Sequence, residues 1–84
     1  MKLNPDYMTQ EIDNYLFLVP VGNDNFKGIM KLNRTAAFII DQLKEETSKE
    51  SIITTMCDVF DAPKEIIAQD VENTLKKLME IGAI

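Results

Sequence analysis

The sequence predicts an α+β fold, in which a small three-stranded antiparallel sheet is followed by three helices. Three observations carry this expectation. Apolar residues change near Asn33 from strand-like runs to helical spacing. Turn formers stand at Asp13-Asn14 and Gly22-Asn23-Asp24-Asn25, where strands must reverse. Helix-boundary residues stand at Asn33, Pro63 and Gly82. With 84 residues the chain has room for one domain, residues 1–84, and none for a second catalytic unit.

The first two strands, about residues 7–12 and 15–21, are rich in aromatic and β-branched residues, and Asp13-Asn14 between them tolerates the left-handed backbone of a two-residue hairpin turn. Pro20 cannot donate a ladder hydrogen bond, so the second strand ends near Val21. A third strand covers about residues 26–32. Its Phe26, Met30 and Leu32 share the inward face, Lys27, Ile29 and Lys31 share the other, and Gly28 marks a bulge or a close approach of another backbone.

Asn33 caps a first helix over about residues 34–45, which carries Ala36, Ala37, Ile39, Ile40 and Leu43 at helical spacing. Thr47 or Ser48 starts a second, about 48–60, carrying Ile52, Ile53, Met56, Cys57, Val59 and Phe60. Pro63 opens a third, about 63–81, and Gly82 closes it. Ile67, Val71, Leu75 and Leu78 fall within about 80° of one another on that helix and form its buried stripe, with Thr74 inside the same arc. Ile66, Asp70, Asn73 and Lys77 line one flank, and Ala68, Glu72 and Met79 the other. Only one flank can face the sheet edge, and periodicity leaves both open.

At 45% hydrophobic and 27% charged residues the composition is that of a folding domain. Most enzyme chemistries lose their usual parts here. There is no His, so the commonest general base and metal ligand are missing, and the single Cys excludes an internal disulfide. Cys57 sits mid-helix among Ile53, Met56 and Phe60 and is expected to be a buried small hydrophobe, not a nucleophile. Glycines at 22, 28 and 82 form no phosphate cradle, and Asn23-Asp24-Asn25 lacks the spacing of a calcium loop, so neither cofactor nor metal is expected. The unpaired Cys57, the absence of a signal-peptide stretch and the lack of a run of about 18 apolar residues point to a soluble, cytoplasmic protein without a membrane partner.

Strands followed by three helices also describe a winged helix-turn-helix-like arrangement, which raises the question of nucleic acid. Charge answers against it. Nine basic residues against fourteen acidic ones give a net charge of -5, and on the third helix Lys64, Lys76 and Lys77 are outnumbered by Glu65, Asp70, Glu72 and Glu80.

The run Met30-Lys31-Leu32-Asn33-Arg34-Thr35-Ala36-Ala37-Phe38-Ile39-Ile40 resembles the PqqD-like family. In that family a strand ends in Leu-Asn, a Thr and small residues open the first helix, and a third helix ends in Leu, then Gly, then an apolar residue. Leu32-Asn33, Thr35-Ala36-Ala37, Ser51-Ile52-Ile53, the segment from Leu78 through Gly82 to Ile84, and Asn4-Pro5 at the start carry the likeness. The longer turn around Gly22 to Asn25 and the glycine-free loop Glu45-Glu46-Thr47 depart from it. The resemblance implies a non-catalytic peptide-binding module without a cofactor. It would hold the leader segment of a ribosomally made precursor peptide as an added strand on strand three, lying against the third helix, and present it to a modifying enzyme such as a radical SAM enzyme.

An edge strand suits that mode, because its unpaired N–H and C=O groups can bond an extended peptide. The expected peptide contacts are Lys27, Gly28, Ile29, Met30 and Lys31 along the strand and Ile66, Asp70, Asn73, Thr74 and Lys77 on the helix. A homodimer through the same sheet edge is the alternative, and winged-helix DNA binding a further one.

Overall fold

The computed structural model describes residues 1–21 and 29–84. The expected turn at Gly22 to Asn25 and the start of strand three, with Phe26, Lys27 and Gly28, lie outside the described residues. The elements are β1 (Tyr7–Ile12), β2 (Tyr15–Pro20), β3 (Met30–Leu32), α1 (Arg34–Gln42), α2 (Lys49–Val59) and α3 (Lys64–Glu80). This is the expected α+β arrangement. Among the described residues no helix is long and apolar enough to cross a membrane.

Asp13 and Asn14 take φ of 52° and 70°, the left-handed pair that a two-residue hairpin turn of matching twist requires. The turn fixes the register of β1 on β2, from Ile12↔Tyr15 back to Tyr7↔Pro20. β2 ends at Pro20, one residue before the expected Val21, whose amide nonetheless donates to the Asp6 carbonyl at 2.7 Å. β3 pairs antiparallel with β2, Leu16↔Leu32 and Leu18↔Met30, so the strand order is β1-β2-β3 and β3 is an edge.

Tyr7, Leu18 and Leu32 bury the inner face of the sheet against Ala36, Ile39, Ile40 and Leu43 of the α1 segment, Ile52 and Met56 of α2, and Ile67, Val71, Leu75 and Leu78 of α3. All four stripe residues expected on the third helix are buried. The Tyr7 hydroxyl donates to the Ile81 carbonyl at 2.6 Å, which ties the start of β1 to the end of α3.

The boundary residues act locally as their chemistry dictates. Asn33 Oδ1 accepts from the Ala36 amide at 2.8 Å, and Ser48 Oγ accepts from the Ser51 amide at 3.2 Å. Pro63 is the cap of α3 rather than its first residue, with ψ of 143°. Gly82, at φ 79°, lets its own amide reach Met79 O and the Ala83 amide reach Leu78 O, the paired bonds that close a helix through a left-handed residue. α1 stops at Gln42, short of the expected residue 45, because the Leu43 amide is shared between Ile39 and Ile40 and the Lys44 amide turns to Asp41.

One expectation fails: Cys57 is exposed, not buried. The buried stripe of α2 is Ile52 and Met56, and the residue after Met56 is rotated about 100° away from it.

Candidate functional site

The hairpin turn decides which backbone groups of β3 are free. A two-residue turn makes its flanking pair, Ile12 and Tyr15, exchange both hydrogen bonds, and such pairs then recur at every second residue. Tyr15, Phe17 and Val19 therefore aim their backbone groups at β1, and the bond from Val21 to Asp6 continues the alternation. Leu16 and Leu18 aim theirs at β3, where their partners are Leu32 and Met30. Lys31, between those two, directs its N–H and C=O to the open side. Ile29 has the same parity.

Side chains alternate independently of those groups. Met30 is half-buried and Leu32 buried on the inner face, whereas Lys31 is exposed on the outer face, its ammonium 3.8 Å from the centroid of the Tyr15 ring. Lys31 thus turns its backbone to the edge and its side chain away from the core. Ile29 is exposed and precedes the paired strand, which in the described residues begins at Met30.

On α3 the structure distinguishes the two flanks. A cavity of about 320 Å³ is lined by Glu72, Leu75, Lys76 and Met79 together with Lys49 and Met1, so the Glu72 and Met79 flank faces the start of α2 and the first residue of the chain. Ile66, Asp70, Asn73 and Lys77 lie on the opposite flank, all exposed, with Thr74 half-buried between them and the core stripe. Asp70, Thr74, Lys77 and Ile81 recur at intervals of four, three and four residues, one strip along the helix. That strip ends at the residue whose carbonyl holds Tyr7 of the sheet. Asn73 Oδ1 accepts from Gln69 Nε2 at 3.1 Å, which draws its amide toward the outer surface. Neither Asp70 nor Lys77 forms an ion pair among the described residues.

Every described carboxylate is exposed. Glu46 is held below the ordinary carboxylate range by the hydrogen bond and charge of the Met1 ammonium at 2.5 Å, beside the start of α2 and away from the β3 edge. Among the described residues no group of three His, Cys, Asp or Glu side chains is placed to hold a metal ion.

Sequence reasoning put Ile29 and Lys31 on the side of strand three away from the core but did not anticipate the apolar outer face of β1 and β2. Met8 and Ile12 of β1 and Tyr15, Phe17 and Val19 of β2 stand there side by side, as the register requires. The signal was present in the turn, since placing Asp13-Asn14 in a two-residue turn pairs Ile12 with Tyr15 and fixes every face after it.

Residues 10–84 match the family described as Coenzyme PQQ synthesis protein D (PqqD). Among solved structures the chain is similar to TbiB1 in complex with the TbiA(beta) leader peptide, at TM-score 0.79 and 18% identity, covering 99% of this chain and 93% of that one. It is also similar to lasso peptide synthetase B1 complexed with the leader peptide, at TM-score 0.74 and 20% identity, covering 94% and 89%. At these identities the likeness is one of fold. No curated protein sequence matches the chain.

Proposed function

The chain belongs to the PqqD family, and on that premise we propose that it is a non-catalytic module that binds the leader segment of a ribosomally made precursor peptide and presents it to a modifying enzyme, such as a radical SAM enzyme. The observation that carries this reading is the open edge of β3, where the Lys31 backbone donor and acceptor are directed away from β2. Both similar structures are complexes with leader peptides, which supports the same class of ligand here. A leader segment pairs as a fourth strand with Lys27 to Lys31, and its inward side chains meet the flank of Ile66, Asp70, Asn73, Thr74 and Lys77. The reading of the module as non-catalytic is supported by a sequence without histidine and by acidic side chains that, among the described residues, are all left in solvent rather than gathered in a pocket. Cytoplasmic residence follows from where precursor peptides are made.

Fluorescence-anisotropy titration against leader peptides from short reading frames beside the gene, with scrambled peptides as controls, tests this function. Binding of one leader at about 1 μM or tighter, and not of its scramble, is the expected result. Absence of binding to every candidate would refute it. Light scattering on the same samples tests the edge-paired homodimer, which a bound leader should dissociate.

A further inference from the structure

The two ends of α3 are tied to opposite ends of the sheet. Phe60, just before the cap Pro63, packs edge-on against Phe38 with ring centroids 5.3 Å apart and carries the Arg34 guanidinium 4.9 Å from its ring centroid. Arg34 stands just past the end of β3. At the other end the Ile81 carbonyl holds the Tyr7 hydroxyl, and Tyr7 pairs with Pro20, beyond Leu18, the partner of Met30 at the start of β3. α3 therefore runs opposite to β3. Both strand pairs among the described residues are antiparallel, so a strand that continues the pattern on the β3 edge runs in the direction of α3. Its earlier residues pass Asp70 and its later residues pass Lys77.

Asp70 and Lys77 are placed so that neither satisfies the other. Seven residues turn a helix by about 700°, so the two lie about 20° apart on one strip and about 10.5 Å apart along the axis. That exceeds the i,i+3 and i,i+4 spacings at which helix side chains pair. The position one turn from both is Thr74, half-buried, whose hydroxyl makes no hydrogen bond among the described residues, whereas those of Thr54 and Thr55 donate back to carbonyls one turn earlier. Ile66, Ile67, Asn73 and Thr74 occupy the places three and four residues from Asp70, and none is basic. Lys77 has Glu80 within pairing spacing but forms no ion pair among the described residues. Alternate residues of an extended strand are about 6.6 Å apart. Three of them on one side match the carboxylate, hydroxyl and ammonium of this strip in order, and long charged side chains absorb the small difference in span.

We infer that the module selects its leader by charge order: a Lys or Arg that meets Asp70, then, four residues later in the leader, an Asp or Glu that meets Lys77, with the residue midway between them over Thr74. This rests on the leader-binding reading above and names the class of peptide that the site takes. The β3 edge cannot make this choice, because it offers only backbone groups to groups that every peptide shares. Side chains on the facing helix can, since a charge meeting its like across an interface opposes binding.

The test titrates the whole chain by anisotropy against two fluorescein-labelled peptides. One is the leader that binds the wild type; the other is its charge-inverted counterpart, with Glu for each Lys or Arg and Lys for each Asp or Glu. D70K/K77D exchanges the two side chains and leaves the net charge at -5. E72K/K76E makes the same exchange on the opposite flank, and all four positions are exposed, so the core is untouched. Expected are a leader Kd at least tenfold higher in D70K/K77D, and charge-inverted peptide bound at least tenfold better by D70K/K77D than by wild type. E72K/K76E should stay within twofold of wild type for both peptides. Should circular dichroism show the exchange unfolded, D70N/K77Q reads the same pair, with leader affinity several-fold weaker and less dependent on salt. Leader affinity within twofold of wild type in a folded D70K/K77D or D70N/K77Q would overturn the inference. So would an equal loss in E72K/K76E, or a bound leader that lacks the basic-then-acidic spacing. In those outcomes the wild type still binds leader and the preceding reading stands; failure of the wild type to bind any leader removes that reading instead.

Discussion

Replacing Lys31 by proline removes one backbone donor from the open edge of β3 and leaves the β2–β3 ladder untouched, because the Lys31 N–H is directed away from β2. The residue before it, Met30, is already extended, as a residue preceding proline prefers. A neutral backbone hydrogen bond contributes about 0.5–1.5 kcal/mol net, and an acceptor left unpaired under a bound strand costs about 1–3 kcal/mol. Loss of about 1.4 kcal/mol is a tenfold change in Kd, so the leader affinity of K31P should fall about tenfold. Two controls separate backbone from side chain. K31A keeps the N–H and gives up only the contact with the Tyr15 ring on the outer face, so its leader Kd should stay within about twofold of wild type. Met30→Pro removes a donor that faces β2, and it should lower Tm whether or not leader is present. Anisotropy with one labelled leader, alongside circular dichroism, reads all three. Equal leader affinity in K31P and K31A, with both folded, would refute the strand-addition geometry.

Three further outcomes follow from the fold. Gly82→Ala places a Cβ in open space but at φ 79°, so its cost of about 1–2 kcal/mol is backbone strain alone and should appear as a Tm lower by roughly 4–16 °C. Ile40→Ala empties a fully buried site between sheet and helices and should cost about 2–5 kcal/mol, read as an earlier urea midpoint; a loss below about 1 kcal/mol would contradict the packing. Cys57, being exposed, should take one equivalent of maleimide in native buffer without loss of helical signal, and protection until denaturant is added would contradict the observed rotation of α2.

What was legible in the sequence was whatever a residue decides with its immediate neighbours. Asp13-Asn14, Asn33, Ser48 and Gly82 each set a turn, a cap or a helix end by local backbone chemistry, and each does so in the fold. The stripe of α3 was equally plain, since polar residues surround it on both sides. α2 offered less contrast. Ile53, Cys57 and Val59 are apolar outside the stripe of Ile52 and Met56, so periodicity could not tell that Cys57 and Val59 face solvent. The flank of α3 was undetermined because residues distant in sequence, Met1 and Lys49, occupy one side of the helix. In β2 an unbroken apolar run carries no alternation, and only the register inherited from the turn separates its two faces.

Lys31 also has a consequence for how such a module changes over generations. Its backbone belongs to one surface and its side chain to another. The peptide group is the same whatever amino acid occupies the position, proline excepted, so substitutions at Lys31 are invisible to a strand added at the edge while they rewrite the outer face of the sheet. The two surfaces can therefore drift separately through one codon. On the proposed strand addition, a leader read in part through groups common to every residue can vary while the edge continues to accept it.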